Sequence, residues 1–145
     1  MTKENHLGKI ALPDSYRPSG EEAFMNGQQL VYFRKKLLDW KQEIMETSSE
    51  TLNHLQEENH KEADLNDRAS SETDRAIELR TRDRERKLLS KIDAALHRIA
   101  DGSYGYCIET GEPISLQRLE ARPIATLSIE AQEQHEKMER VHKDD

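Results

Sequence analysis

From Asn26 onward the apolar residues fall into step. Leu30, Phe33, Leu37, Trp40 and Ile44 recur at alternating intervals of three and four, the spacing that lines up one face of an α-helix and forms the seam of a coiled coil. The seam weakens through "METSSE" (residues 45–50) and resumes, shifted in phase, at Leu52 and Leu55, which predicts a bend or a local change of supercoil. This helix is expected to end near His60. "HKEADLNDRASSE" (60–72) then breaks the pattern with Asp, Asn and Ser, the residues of turns and helix caps. A second run follows: Ala69, Ala76 and Ile77, a heavily charged middle, then Leu88, Ile92, Ala95 and Ile99, with Asp101-Gly102 as its stop. Two helices of roughly 30–35 residues, each about 45–50 Å long at 1.5 Å per residue, make an antiparallel coiled-coil hairpin over residues 26–102 with its tip near 62–69.

The flanks read differently. Residues 1–25 hold "LPDSYRPSGEE" and suggest a partly disordered arm. Residues 103–127 form a Gly/Pro-punctuated module that offers Tyr104, Tyr106, Ile108, Ile114, Leu116, Leu119, Ile124 and Leu127 for packing. Residues 128–145 read as a C-terminal helix with a sparse apolar face. The expected fold class is mainly α: a long coiled-coil hairpin, a small globular module resembling a zinc finger, and a terminal helix.

Composition supports the elongated shape. Only 34% of the 145 residues are hydrophobic and 35% are charged, and mean hydropathy is −0.98, too polar for a thick core. A net charge of −7 argues against direct nucleic-acid binding, which rests on phosphate neutralisation by Lys and Arg. A protein partner is the expected target. The single cysteine excludes an internal disulfide framework. No apolar run approaches the roughly 20 residues that span a bilayer, and the N-terminal stretch lacks a secretory core. The expectation is a cytoplasmic monomer without membrane contact.

Three stretches could carry chemistry. "YGYCIETGEP" (104–113) reads like a zinc knuckle stripped of ligands: Thr110 stands where a second cysteine belongs, Ser128 and Ala131 where a second pair belongs, and His135 about one turn later. One thiol and a distant imidazole fall short of a four-ligand structural site, so Cys107 is expected to pack as a small hydrophobe without metal. Around the tip, Asp64 and Asp67 bracket Asn66. Helix capping explains these residue types, and so does delivery of carboxylates into a partner's cleft; spacing leaves both open. "ELRTRDRERKLL" (78–89) reads as a salt-bridged shaft that can also dock electrostatically. The histidines are dispersed, and no nucleophile triad or phosphate loop is present, so no enzyme is expected.

Taken together, "DRASSETDRAIELRTRDRERKLLSKID" (67–93) and "GSYGYCIETGEPISLQRLEARP" (102–123) resemble the DksA family of bacterial transcription regulators. The resemblance implies a hairpin inserted into the secondary channel of RNA polymerase, tip acids near its active site, and destabilised open promoter complexes in synergy with ppGpp, the co-regulator. By motif, the tip positions are Asp64, Asp67 and Ala69, and the ppGpp-related positions are Leu88, Lys91 and Arg122, with Gln132 where a third basic residue is expected. The family's four cysteines fall on Cys107, Thr110, Ser128 and Ala131, so a zinc-independent variant is implied. A transcript-cleavage factor using the same channel and a structural coiled-coil adaptor are the alternative readings.

Overall fold

The computed structural model describes residues 7–61 and 68–143. Its elements are α1 (Gly27–Lys61), α2 (Arg68–Asp101), α3 (Leu116–Ala121) and α4 (Ile129–Lys143). The mainly α expectation holds, with two helices of 35 and 34 residues. The chain divides into two compact units, Leu38–Asp93 and Met1–Leu37 with Ala94–Asp145. Both long helices contribute to each unit.

In the unit Leu38–Asp93 the helices run antiparallel and in step. Lys41 pairs with Asp93 at 2.8 Å, the Ser48 hydroxyl donates to Glu85 at 2.5 Å, and His54 lies 3.9 Å from Glu78. As the numbering climbs on α1 it falls by nearly equal steps on α2, as antiparallel pairing requires. Ile44 and Ile92 are the buried apolar side chains among the described residues of this unit, and Trp40 and Leu88 are half-buried. Ala76 and Ile77 are exposed, against the seam expected through them; near this level His54 of α1 approaches Glu78 of α2.

The other unit is built on apolar burial. Phe33, Leu37, Ala95, Ile99, Tyr104, Ile114 and Leu119 are 1% exposed or less, and Leu30 is nearly as deep. Phe33 lies between two tyrosines, with ring centroids 5.2 Å from Tyr32 and 5.6 Å from Tyr104. The Tyr104 hydroxyl donates to the Pro123 carbonyl at 2.7 Å, which satisfies its polar end inside the core. α2 stops where expected: Gly102 takes φ 88°, and the N–H groups of Gly102, Ser103 and Tyr104 all reach the Arg98 carbonyl, closing the helix as a left-handed glycine allows.

The arm departs from expectation. Over its described residues it is packed: Leu7 is 3% exposed, Tyr16 meets Tyr32 edge-on at 6.1 Å, and Phe24 meets Tyr106 at 5.3 Å. Its clasp is Gln29, fully buried yet satisfied. The Gln29 amide oxygen accepts from the Met25 N–H at 2.7 Å, and its NH2 donates to Ser19 O and to Glu22. Asn26 in turn accepts from the Gln29 N–H at 2.8 Å, capping α1, while the Gln29 side chain reaches back past the cap to Met25. This geometry forces Met25 to φ 51°, a costly conformation for a non-glycine residue that the surrounding bonds hold in place.

Candidate functional site

Three places carry the residues singled out from the sequence. At the first, Asp64 and Asp67 lie outside the described residues, while the backbone of Ala69 falls in the first turn of α2.

The second is the shaft. Leu88 and Lys91 sit one turn apart on α2, Leu88 half-buried and Lys91 exposed. Asp83 gathers two cations, Arg86 at 2.5 Å and Lys87 at 3.1 Å, and its carboxyl is held below the usual range by Lys87 first and Arg86 after it. The i,i+3 and i,i+4 spacing makes this a local tie along α2. Arg122 belongs to the other compact unit. It is exposed at the C-cap of α3, where its N–H donates to the Arg118 carbonyl. Two residues earlier, Glu120 accepts from the Tyr32 hydroxyl and from Lys36 at 2.6 Å. That clamp joins residues 84 and more apart in sequence, and nothing local in the chain announces it. Gln132 is half-buried, hydrogen-bonded through its N–H to the Ser128 carbonyl.

The third is the knuckle. A bridge pairs Tyr106 with Pro113, the Cys107 N–H donates to Glu112 O at 2.8 Å, and the Gly111 N–H returns to Cys107 O at 2.9 Å. The loop is joined to the approach to α4 by the Ile108 N–H, which donates to Thr126 O at 2.9 Å. Cys107 is buried. Burial raises its thiol pKa, but the Thr110 hydroxyl and the amides of Ser128, Thr110 and Glu109 stabilise the thiolate more, and the value falls from 9.0 to about 6. Outside this sulfur, Glu109 contacts His135 across the knuckle, and that hydrogen bond raises the imidazole pKa from 6.5.

Whether these residues suit zinc follows from the same contacts. Ser128 Oγ is spent capping α4, accepting from the Ala131 N–H at 3.2 Å, Ala131 has no donor atom, and Thr110 bears a neutral hydroxyl. Among the described residues no group of three or more His, Cys, Asp or Glu side chains is placed to hold a metal ion. The set does not fit a four-ligand structural zinc. What the knuckle keeps is its hydrogen bonding. Its apolar residues divide: Tyr104, Ile114, Leu119 and Ile124 are buried, Leu116 and Leu127 are half-buried, and Tyr106 and Ile108 are exposed against expectation, because both lie on the outer loop whose backbone carries the bridge. Among the described residues no helix is long and apolar enough to cross a membrane.

Comparison with known proteins gives a consistent result. Residues 29–99 match the family described as DnaK suppressor protein DksA, N-terminal domain, and residues 102–137 match the prokaryotic dksA/traR C4-type zinc finger. The chain is 70% identical over 130 residues to the RNA polymerase-binding transcription factor DksA of Caulobacter vibrioides, covering 90% of this chain and 92% of that protein. It is 40% identical over 121 residues to the Escherichia coli protein of the same name, covering 83% and 80%. The solved structure of transcription factor DksA2 from Pseudomonas aeruginosa superposes with a TM-score of 0.77 at 43% identity, over 95% of this chain and 98% of that one.

Proposed function

The chain belongs to the DksA family, and from that premise we propose that it binds RNA polymerase in the cytoplasm and regulates transcription without catalysing a reaction of its own. The supporting observation is the 70% identity over 90% of the chain to a relative named for polymerase binding. The antiparallel, in-step helices supply a stiff element of the right kind for entry into the secondary channel. In this reading Asp64, Asp67 and Ala69 act at the polymerase active site, and the protein shortens the life of open promoter complexes as a monomer that does not itself contact nucleic acid.

ppGpp is the co-regulator. Lys91 and Arg122, with Leu88 beside Lys91, contribute to its response; both cations are exposed and uncommitted to the cores of their units. Gln132 brings no charge, so this response draws on two basic groups. The module works without zinc, its place taken by the hydrogen bonds around Cys107 and by apolar packing.

The test is open-complex lifetime at a ribosomal RNA promoter, with and without the protein and ppGpp. Wild-type chain shortens the lifetime and ppGpp deepens the effect. Asp67→Asn binds polymerase with near-normal affinity but leaves the lifetime long, because it removes the charge and keeps capping ability. Full activity of Asp67→Asn would reduce the tip acids to helix caps. Cleavage of the nascent RNA in stalled complexes would point instead to a transcript-cleavage factor, and no polymerase binding to a structural adaptor.

A further inference from the structure

The arm before α1 meets the rest of its unit at a series of places, taken in chain order. Ile10 lies so near the start of α1 that a Cβ on Gly27 would come within 2.6 Å of its Cδ1. Tyr16 stands edge-on to Tyr32, and the Arg17 guanidinium lies 6.0 Å over the same ring. Phe24 then turns to the knuckle, edge-on to Tyr106 at 5.3 Å. Met25 follows it: a Cβ on Gly105 would meet Met25 Cγ at 3.0 Å and its Sδ and Cε at 3.2 Å. The arm thus runs from α1 to the two residues that immediately precede Cys107.

Between these contacts the arm is fastened to α1. Glu22 accepts from the Tyr16 hydroxyl at 2.6 Å and from the Asn26 side-chain amide at 3.2 Å. The buried Gln29 donates to Glu22 and to Ser19 O and accepts from the Met25 N–H. This latch fixes where Phe24 and Met25 stand. Met25 has φ 51°, a conformation that persists only where its surroundings over-determine it, and the latch on one side with Gly105 on the other are those surroundings. The knuckle has use for such a fastening. Its loop is closed by the Tyr106–Pro113 bridge and the Cys107–Glu112 bond, with no ligand set for a metal cross-link. Toward α4 its side-chain tie is Glu109 with His135, both about half exposed, and such an exposed pair adds little. An edge-on aromatic pair beside a thioether seated on glycine adds more.

We infer that residues 16–29 form a strap that holds the metal-free knuckle closed, with Phe24 and Met25 as the buckle and Gln29 as the anchor. The strap is a property of the chain by itself and holds whether or not polymerase is the partner.

Cys107 is the sole cysteine and is 2% exposed, so its rate of reaction with iodoacetamide measures how often the knuckle opens. The full chain is labelled at one pH and at urea concentrations well below its unfolding transition. Phe24→Ala is expected to speed labelling by on the order of tenfold, with little dependence on urea, because the opening is local. Met25→Gly adopts the same left-handed turn without steric cost and removes only the side chain on Gly105. It is expected to speed labelling several-fold while circular dichroism shows unchanged helix content, whereas relief of backbone strain alone would leave labelling as it is or slow it. Met25→Leu, of similar volume, keeps the rate near that of the wild type, as does Lys41→Met in the shaft. Unchanged labelling in Met25→Gly, or labelling that rises only with the urea dependence of global unfolding, overturns the inference. Should Phe24→Ala fail to fold, Met25→Gly decides alone.

Discussion

Of the fifteen buried apolar residues described, thirteen fall in the unit Met1–Leu37 with Ala94–Asp145, and only Ile44 and Ile92 in Leu38–Asp93. The first unit is held by a core; the second is held by a thin seam and by polar ties such as Lys41 with Asp93 and Ser48 with Glu85. A chain that is 35% charged cannot spread its apolar residues evenly and still bury them, so it concentrates them. The difference teaches where stability and where exposure to partners are located: the cored unit anchors, and the shaft remains open along its flanks.

The sharpest way to break this contrast is Phe33→Ala. Phe33 is fully buried, and its loss is expected to cost about 3–5 kcal/mol in urea unfolding. A loss near that of a surface residue would dissolve the distinction. A smaller effect follows from Tyr104→Phe, which leaves the Pro123 carbonyl without its buried donor at a cost of about 1–3 kcal/mol. Smaller again is Lys41→Met in the shaft: its partner Asp93 is 56% exposed in its side chain, so a change under about 1 kcal/mol that shrinks with added salt is expected. Trp40, the sole tryptophan and a resident of the shaft, reports it by fluorescence.

The slightest effect concerns pH at the knuckle. The folded pKa of His135 is raised above 6.5 by Glu109, so its contribution is fully present below 6.5 and is lost as pH rises through the folded value. Cys107 is lowered from 9.0 to about 6, so its contribution is present above 9.0 and is lost as pH falls through about 6. The two slopes oppose each other. His135→Gln is therefore expected to make melting temperature rise more steeply between pH 6 and 9 than in the wild type; an unchanged slope would show that the exposed pair contributes nothing.

The parts legible in the sequence were those with a period. Leu30, Phe33, Leu37 and Ile44 are buried as their spacing demands, as are Ile92, Ala95 and Ile99, and the glycine stop after Asp101 takes its left-handed turn. Ala76 and Ile77 fit the period and still stay exposed, which spacing along one helix does not foretell. The arm was misread because nothing in it repeats: Tyr16 finds Tyr32 and Gln29 finds Ser19 through contacts that only the folded chain creates. At the candidate site, the departure from a four-cysteine pattern at Thr110, Ser128 and Ala131 was legible in the sequence itself. The reach of the Ser128 amide to the Cys107 sulfur, and the pairing of Glu109 with His135, were not, since each joins segments more than twenty residues apart.

The in-step pairing of 41 with 93, 48 with 85 and 54 with 78 also makes the two helices a ruler. An insertion or deletion in α1 alone would rotate everything beyond it by about 100° per residue and turn Ile44 away from its partners. A length change is silent only when it is matched on both helices and comes in sevens, which adds or removes reach in steps of about 10 Å while every seam residue keeps its neighbour. Reach is thus quantised, and a lineage that needed a longer or shorter probe would have to acquire paired indels.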